Sequence, residues 1–281
     1  MLEIKTRAMK KLILIVCPAF LLLLSSCGGG ERYGTTLEGD PSQDGINGSY
    51  TSVVAVEDRL YYVDSDELFT ADITNPDAIA VMDRQKIGEN LESLFFTNGL
   101  LFIGSGPALY IYELDSLGMP SKLSQTTYDN FEGEIFPCDP VVADEDYAYV
   151  TLSTAANVQV TPIWFFLSLV SCTREVEVNE LRIYDISDLQ EPILESTLSL
   201  NNPKGLAIQD NTLFVCDGTA GLKVIDVTDR TQPVIIHELD DIDTYDVIAL
   251  DSLLVVTGPQ EIVQYDITDL SQIELLSIYG L

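Results

Sequence analysis

Apolar runs a few residues long recur along the chain, each cut by turn-forming residues. Between residues 205 and 239 the runs GLAIQ, TLFVCD, GLKVIDV and PVIIHEL follow one another, with Asp210-Asn211 and Asp217-Gly218 at two of the breaks. The runs are rich in β-branched and aromatic residues, and no long stretch has helical period, so each is expected to be a strand. The same cycle returns along the chain. Five segments align without gaps: LFTADITNPDAI (68–79), LYIYELDSLGMP (109–120), LRIYDISDLQEP (181–192), LKVIDVTDRTQP (222–233) and IVQYDITDLSQI (262–273). Their anchoring acids, Asp72, Glu113, Asp185, Asp226 and Asp266, are spaced by 41, 72, 41 and 40 residues, the long interval being one repeat plus an insertion of 31. Two apolar runs precede each anchor. A unit of about 40 residues with four strands has the size of one β-propeller blade, which buries both faces only by stacking on its neighbours. The pattern predicts an all-β fold, a β-propeller of five four-stranded blades over residues 50–281, with a hairpin-like insertion at about 154–178 in blade three.

The repeated D-[IV]-[ST]-[DN] has two readings. Repeated acids resemble a metal array. They also sit where a third strand ends, and there Asp, Ser, Thr and Asn side chains bond backbone amides and close a turn. The turn reading is favoured, with Pro76, Pro120, Pro192 and Pro233 falling on the outer strand that follows, where a missing N–H is tolerated.

The ends and the charge add a compartment. From Met9 the chain reads MKKLILIVCPAFLLLLSSC, a basic start, an apolar core at Leu12 to Leu24 and a small-residue site. That core is shorter than the roughly 20 residues of a membrane-spanning helix. It ends in Leu24-Ser25-Ser26-Cys27, which resembles the lipobox of bacterial lipoproteins, in which the cysteine is lipidated and becomes the new N-terminus. Residues 1–26 are therefore expected to be a signal peptide, Cys27 the lipidation site, and 27–49 a flexible tether. Removing 1–26 takes away Lys5, Arg7, Lys10 and Lys11 against Glu3, leaving 10 basic and 44 acidic residues and a charge of about -34. Such a chain does not bind nucleic acid by neutralising phosphates, and anionic headgroups repel it, so acyl chains are a sensible hold on a membrane.

Signals for chemistry are thin. The single histidine, His237, falls on an outer strand; there is no phosphate loop, HExxH or zinc cysteine pair, and Gly104-Ser105-Gly106 lacks the helix of a nucleophile elbow. No catalytic residue, metal ligand or cofactor is assigned. The acidic clusters Asp64-Ser65-Asp66-Glu67, Asp144-Glu145-Asp146 and Asp240-Asp241-Ile242-Asp243 read as solvated turns, with a loose Ca²⁺ site as the minor reading.

Residues 205–229, GLAIQDNTLFVCDGTAGLKVIDVTD, resemble the repeat of the LVIVD-repeat propeller proteins, and the resemblance extends over roughly 50–281. It implies a propeller, an exported protein in the cell envelope, in many members a lipoprotein, and no established activity. Cys138-Asp139-Pro140-Val141-Val142 and the later Cys172 resemble that family's third unit, and Cys138–Cys172 is the expected disulfide, against the alternative of free thiols; Cys216 is read as a small buried residue. The family's insertion tends to be shorter and polar, whereas this one holds TPIWFFLSLVSC (161–172) with the chain's one tryptophan.

The mouth loops expected from this fold are 127–140, 200–205 and 239–245, and the residues expected to touch a partner are Tyr128, Phe131, Trp164, Phe165, Phe166 and Tyr245. An exposed apolar tip at 161–172 marks a contact; a loop folded back on a blade is the other reading. The function expected is a non-enzymatic binding module for a protein or glycan, lipid-anchored to the outer membrane and facing the periplasm or the surface. The alternatives are a polysaccharide hydrolase using carboxylates at the propeller mouth and a scaffold in an outer-membrane complex.

Overall fold

The repeat folds as its pattern predicts. The structure, a computed structural model, describes residues 52–128, 140–153 and 178–280. Among these residues twenty strands form five four-stranded antiparallel sheets, each built from strands consecutive in sequence. Blade one holds β1 (Ser52–Val56), β2 (Arg59–Val63), β3 (Glu67–Asp72) and β4 (Ala80–Lys86). Blade two holds β5 (Leu91–Thr97), β6 (Leu100–Ser105), β7 (Ala108–Leu114) and β8 (Pro120–Thr127). Blade three holds β9 (Val141–Ala143), β10 (Tyr147–Ser153), β11 (Asn179–Asp185) and β12 (Ile193–Ser199). Blade four holds β13 (Leu206–Gln209), β14 (Thr212–Cys216), β15 (Leu222–Asp226) and β16 (Val234–Leu239). Blade five holds β17 (Asp246–Leu250), β18 (Leu253–Thr257), β19 (Glu261–Asp266) and β20 (Glu274–Gly280).

Turn chemistry sets the blade outlines. Asn98 and Gly99 both take positive φ, 48° and 79°, between β5 and β6, the geometry that a tight hairpin of right-twisted strands requires. At the end of β3, β11, β15 and β19 the repeated aspartate accepts the amide two residues on: Asp72 from Thr74, Asp185 from Ser187, Asp226 from Thr228 and Asp266 from Thr268, each at 2.8 Å. A bond from the hydroxyl of that residue is the main cause holding these four carboxyls below their usual range. Blade two departs from the repeat. Its aligned Glu113 does not close the turn; Asp115 does, accepting the amides of Leu117 and Met119 at 2.8 and 2.9 Å. Pro192 and Pro233 stand just before the outer strand and Pro120 is its first residue, so none removes a ladder bond from a strand interior.

Every outer strand also carries one extra residue. The pairing of third with fourth strand skips Met82, Leu123, Glu195, Ile236 and Leu276 in the five blades. These β-bulges raise the local twist and turn the rim away from flat edge-to-edge pairing.

The core lies between blades. One cluster joins blades one and two around Tyr61, Leu68, Leu101 and Tyr110. A second joins two and three around Phe102, Ile111, Val150 and Tyr184. A third joins three and four around Tyr149, Ile183, Leu213 and Ile225, and a fourth joins four and five around Phe214, Val224, Leu254 and Val263. Among the described residues no such cluster joins blade five to blade one.

Candidate functional site

Antiparallel order gives the propeller two unlike faces. The first-to-second and third-to-fourth strand connections lie at one end of each blade, here the hairpin face. The second-to-third connections and the passages between blades lie at the other, the crossover face. The expected mouth loops 200–205 and 239–245, and the ends of both long departures from the repeat, fall on the crossover face.

On the crossover face, blades three, four and five are tied together around Asp217, whose side chain is buried after β14. Its Oδ1 accepts the backbone amides of Asn201 and Asn202 at 2.8 and 2.7 Å, and its Oδ2 accepts the Asn201 side-chain amide at 3.0 Å. The Asp217 amide in turn donates to Thr244 Oγ1 at 3.1 Å, and that hydroxyl donates to the Gly221 carbonyl at 2.8 Å. Two mouth loops are thereby fixed to one residue, 200–205 through its carboxylate and 239–245 through its backbone amide. Beside them the Lys204 ammonium lies 3.9 Å from the centre of the Tyr245 ring, a cation–π contact. Loss of water around Lys204 lowers its pKa, while Asp243 nearby raises it less. Tyr245 keeps 39% of its surface exposed. The next residue, Asp246, crowds Gly205, where an added Cβ would meet Asp246 Oδ1 at 2.2 Å. Desolvation pushes the Asp246 carboxyl above its usual range.

On the hairpin face, an open cleft of about 650 Å³ runs between blades three and four, lined by Asp144, Asp146, Tyr147, Asp210, Asp229 and Arg230 among others. Arg230 crosses it. Its guanidinium donates to Asp144 Oδ2 at 2.9 Å, to the Tyr149 hydroxyl at 3.1 Å and to Asn211 Oδ1 at 2.7 Å. The Tyr149 hydroxyl donates to the same Asp144 oxygen at 2.7 Å. Burial alone pushes the Asp144 carboxyl up, but the bonds from Tyr149, Arg230 and two backbone amides outweigh it and hold the carboxyl low. Burial also raises the Tyr149 phenol. The cleft's only guanidinium is thus fully engaged in joining two blades.

The residues expected from the sequence to touch a partner fare differently. Tyr245 is exposed on the crossover face. Tyr128 is not available for contact: it is 5% exposed, packs in the cluster between blades two and three, and has the Arg182 guanidinium 5.8 Å from its ring centre. It follows β8 directly, so the end of the strand carries it inward. Cys27, Phe131, Cys138, Trp164, Phe165, Phe166 and Cys172 lie outside the described residues. Cys216 is a free thiol, fully buried between blades four and five, and burial pushes its pKa far up, which leaves it unreactive. Of the acidic clusters, Asp64, Asp66 and Glu67 do bring three carboxylate oxygens within 4.8 Å of one another. Lys86 pairs with Asp66 at 3.0 Å and Arg84 with Glu67, both from β4, and Asp64 Oδ1 accepts two backbone amides, so each of the three acids already has a partner within blade one. His237 is half-buried on β16, opposite Val224. Sequence reading missed the Asp217 and Arg230 clasps. The available signal was an arginine at 230 where the aligned residues of blades three and five are Leu189 and Leu270.

Comparison with known proteins follows the same lines. The LVIVD repeat model matches residues 202–241, which contain the whole of blade four. None of the curated proteins matches the chain in sequence. Among solved structures, a functionally unknown protein from Desulfotomaculum acetoxidans DSM 771 superposes with a TM-score of 0.63 at 8% identity, over 84% of this chain and 71% of that one. A protein from Lactobacillus plantarum gives 0.59 at 12% identity, over 82% and 71%. The periplasmic gluconolactonase PpgL of Pseudomonas aeruginosa gives 0.58 at 10% identity, over 82% and 72%. At such identities the likeness is one of fold. The chain is a β-propeller of five four-stranded blades, and its fourth blade matches the LVIVD repeat.

Proposed function

We propose that this chain is a binding module of the cell envelope, held to the outer membrane by lipid on Cys27 and presenting its crossover face to a protein or glycan. One observation carries the reading. Both long departures from the repeat join blade three on that face: one spans the passage from the end of blade two at Tyr128 to Pro140, the other leaves blade three after Ser153 and returns at Asn179, its register partner. Loops that break a repeat on a rigid scaffold are where recognition resides. The blades beneath them are locked by Asp217, so a partner meets a fixed frame. Affinity capture of the tagged chain from its native envelope tests the proposal. The parent chain is expected to enrich a protein or glycan, and Trp164→Ala with Phe165→Ala and Tyr245→Ala is expected to lose it while keeping the fold. Equal enrichment by parent and variant refutes it.

Asp246 favours a second reading, hydrolysis of an envelope polysaccharide. It packs against Gly205 on the crossover face, and it is the one carboxyl among the described residues that desolvation pushes up, the direction that favours a proton donor. Release of reducing sugar that disappears in Asp246→Asn supports that reading; equal release from the parent and the variant removes it.

A further inference from the structure

We propose that the crossover face binds a sugar bearing a carboxylate, a uronic acid residue of a glycan, and that Lys204 receives the carboxylate beside Tyr245. This narrows the ligand of the crossover-face reading, on which it rests.

Cations are scarce in this acidic chain, and most are already paired. Among the described residues Arg59, Arg84, Lys86, Arg182, Lys223 and Arg230 each pair with a carboxylate. Lys122 stands exposed on β8 and donates to Gln125 Oε1 at 3.4 Å. Lys204 differs from all of these. It is half-buried, yet no described carboxylate comes within ion-pair distance of its ammonium and no described group accepts a hydrogen bond from it. Its close partner is the Tyr245 ring, 3.9 Å away at the centre, and Asp243 acts on it only from a distance. Water is thus taken from a cation with no counter-charge in contact, a cost that a bound anion offsets.

The backbone builds this arrangement. The Lys204 amide donates to the Cys216 carbonyl at 2.7 Å, and the Lys204 carbonyl accepts the Thr151 hydroxyl of blade three at 2.7 Å. The next amide, of Gly205, donates to the Tyr245 carbonyl at 3.0 Å and ties blade four to blade five where the two side chains meet. Glycine is needed for that approach, since an added Cβ would strike the backbone of Tyr245 and Asp246. The ammonium is therefore placed before a ligand arrives, which lowers the ordering cost of binding.

The surroundings favour a sugar over a peptide. Across 200–205 and 239–245 the one exposed aromatic is Tyr245, and the other exposed side chains are Asn201, Asn202, Asp240, Asp241 and Asp243. A protein interface has an apolar core depleted of charge, and these loops offer none. A sugar ring suits them: its C–H face lies on an aromatic ring, and its hydroxyls bond amides and carboxylates. Tyr245 keeps 39% of its surface exposed with Lys204 on its ring, so ring surface remains for that contact. One cation among these acids takes one carboxylate, while a run of anions is repelled.

Saturation-transfer NMR titration of the full chain in mild detergent tests this with three probes: methyl β-D-glucuronide, its uncharged methyl ester, and N-acetylalanine as a peptide carboxyl terminus. The parent is expected to bind the glucuronide, and to bind the ester and N-acetylalanine about tenfold more weakly or not at all. Lys204→Gln is expected to lose the preference for acid over ester with an unchanged circular dichroism spectrum, and Lys204→Arg to keep it. No binding of the glucuronide by the parent, equal binding of acid and ester, a preference that survives Lys204→Gln, or tighter binding of N-acetylalanine overturns the proposal. A partner captured equally by the parent and Lys204→Gln, but lost with the Tyr245→Ala variant, also overturns it and leaves the crossover-face reading in place.

Discussion

Blades four and five descend from one pattern, yet they meet their surroundings differently. In blade four the middle strands are buried on both faces: β15 holds Leu222, Lys223, Val224 and Ile225 at 5% exposure or less. In blade five β18 alternates, with Leu254 and Val256 buried and Leu253, Val255 and Thr257 only half-buried. The strands differ little in composition. What differs is the neighbour: among the described residues blade four packs between two blades and blade five against one. Burial here belongs to a place in the ring, and the repeat merely makes each blade competent for it.

Matched substitutions make the comparison quantitative. Phe214→Ala should destabilise by about 3–5 kcal/mol, since it empties a filled site between blades four and five. Val255→Ala, one repeat on, should cost well under half of that, as measured by urea unfolding followed by circular dichroism. Equal losses would mean that Val255 is as well covered as Phe214. The second comparison concerns polar clasps. Asp217 has no equivalent acid in blade five, where Gly258 stands at its position. Asp217→Asn should cost about 2 kcal/mol, because a buried amide replaces an acceptor of three N–H bonds. Hydrogen exchange should then show the 200–205 loop opening, while 239–245 stays protected because Thr244 is held by the Asp217 backbone amide.

The hairpin-face clasp should be weaker and dependent on pH. Asp144 has a folded pKa below its unfolded value of 3.8, so its contribution is complete above that value and disappears as pH falls through the lower folded one. Asp144→Asn should therefore cost about 1 kcal/mol near neutrality and progressively less at acid pH. A cost that stays constant down to acid pH would show that Arg230 does not act through this carboxylate. The smallest effect should come from Asp226→Ala, which removes the exposed turn bonds from the Thr228 amide and hydroxyl. A slight fall in melting temperature is expected, with neighbouring blades unaffected.

The strands were legible because they obey local rules. The period-2 runs, the aspartate that closes each third strand and the prolines before the outer strands all act within a few residues of themselves. Asp115 was hidden because a gapless alignment places Glu113 on the anchor, and only the pairing shows which acid reaches the turn amides. The bulges were hidden for a similar reason. Met82, Leu123, Glu195, Ile236 and Leu276 share no chemistry; they share a place in the hydrogen-bond register. The site was less legible still. Arg230 meets Asp144 across 86 positions of sequence, and Asp217 meets Thr244 across 27, in each case from a neighbouring unit. Tyr128 read as a loop aromatic because nothing in its own neighbourhood announces that β8 ends by turning it under blade three.

Cys216 makes the boundary between blades four and five measurable in time. Its sulfur is sealed by Val247 and Val256 of the next blade, so a thiol reagent reaches it only during moments when the two blades part. Peptide-resolved alkylation therefore acts as a stopwatch for that parting.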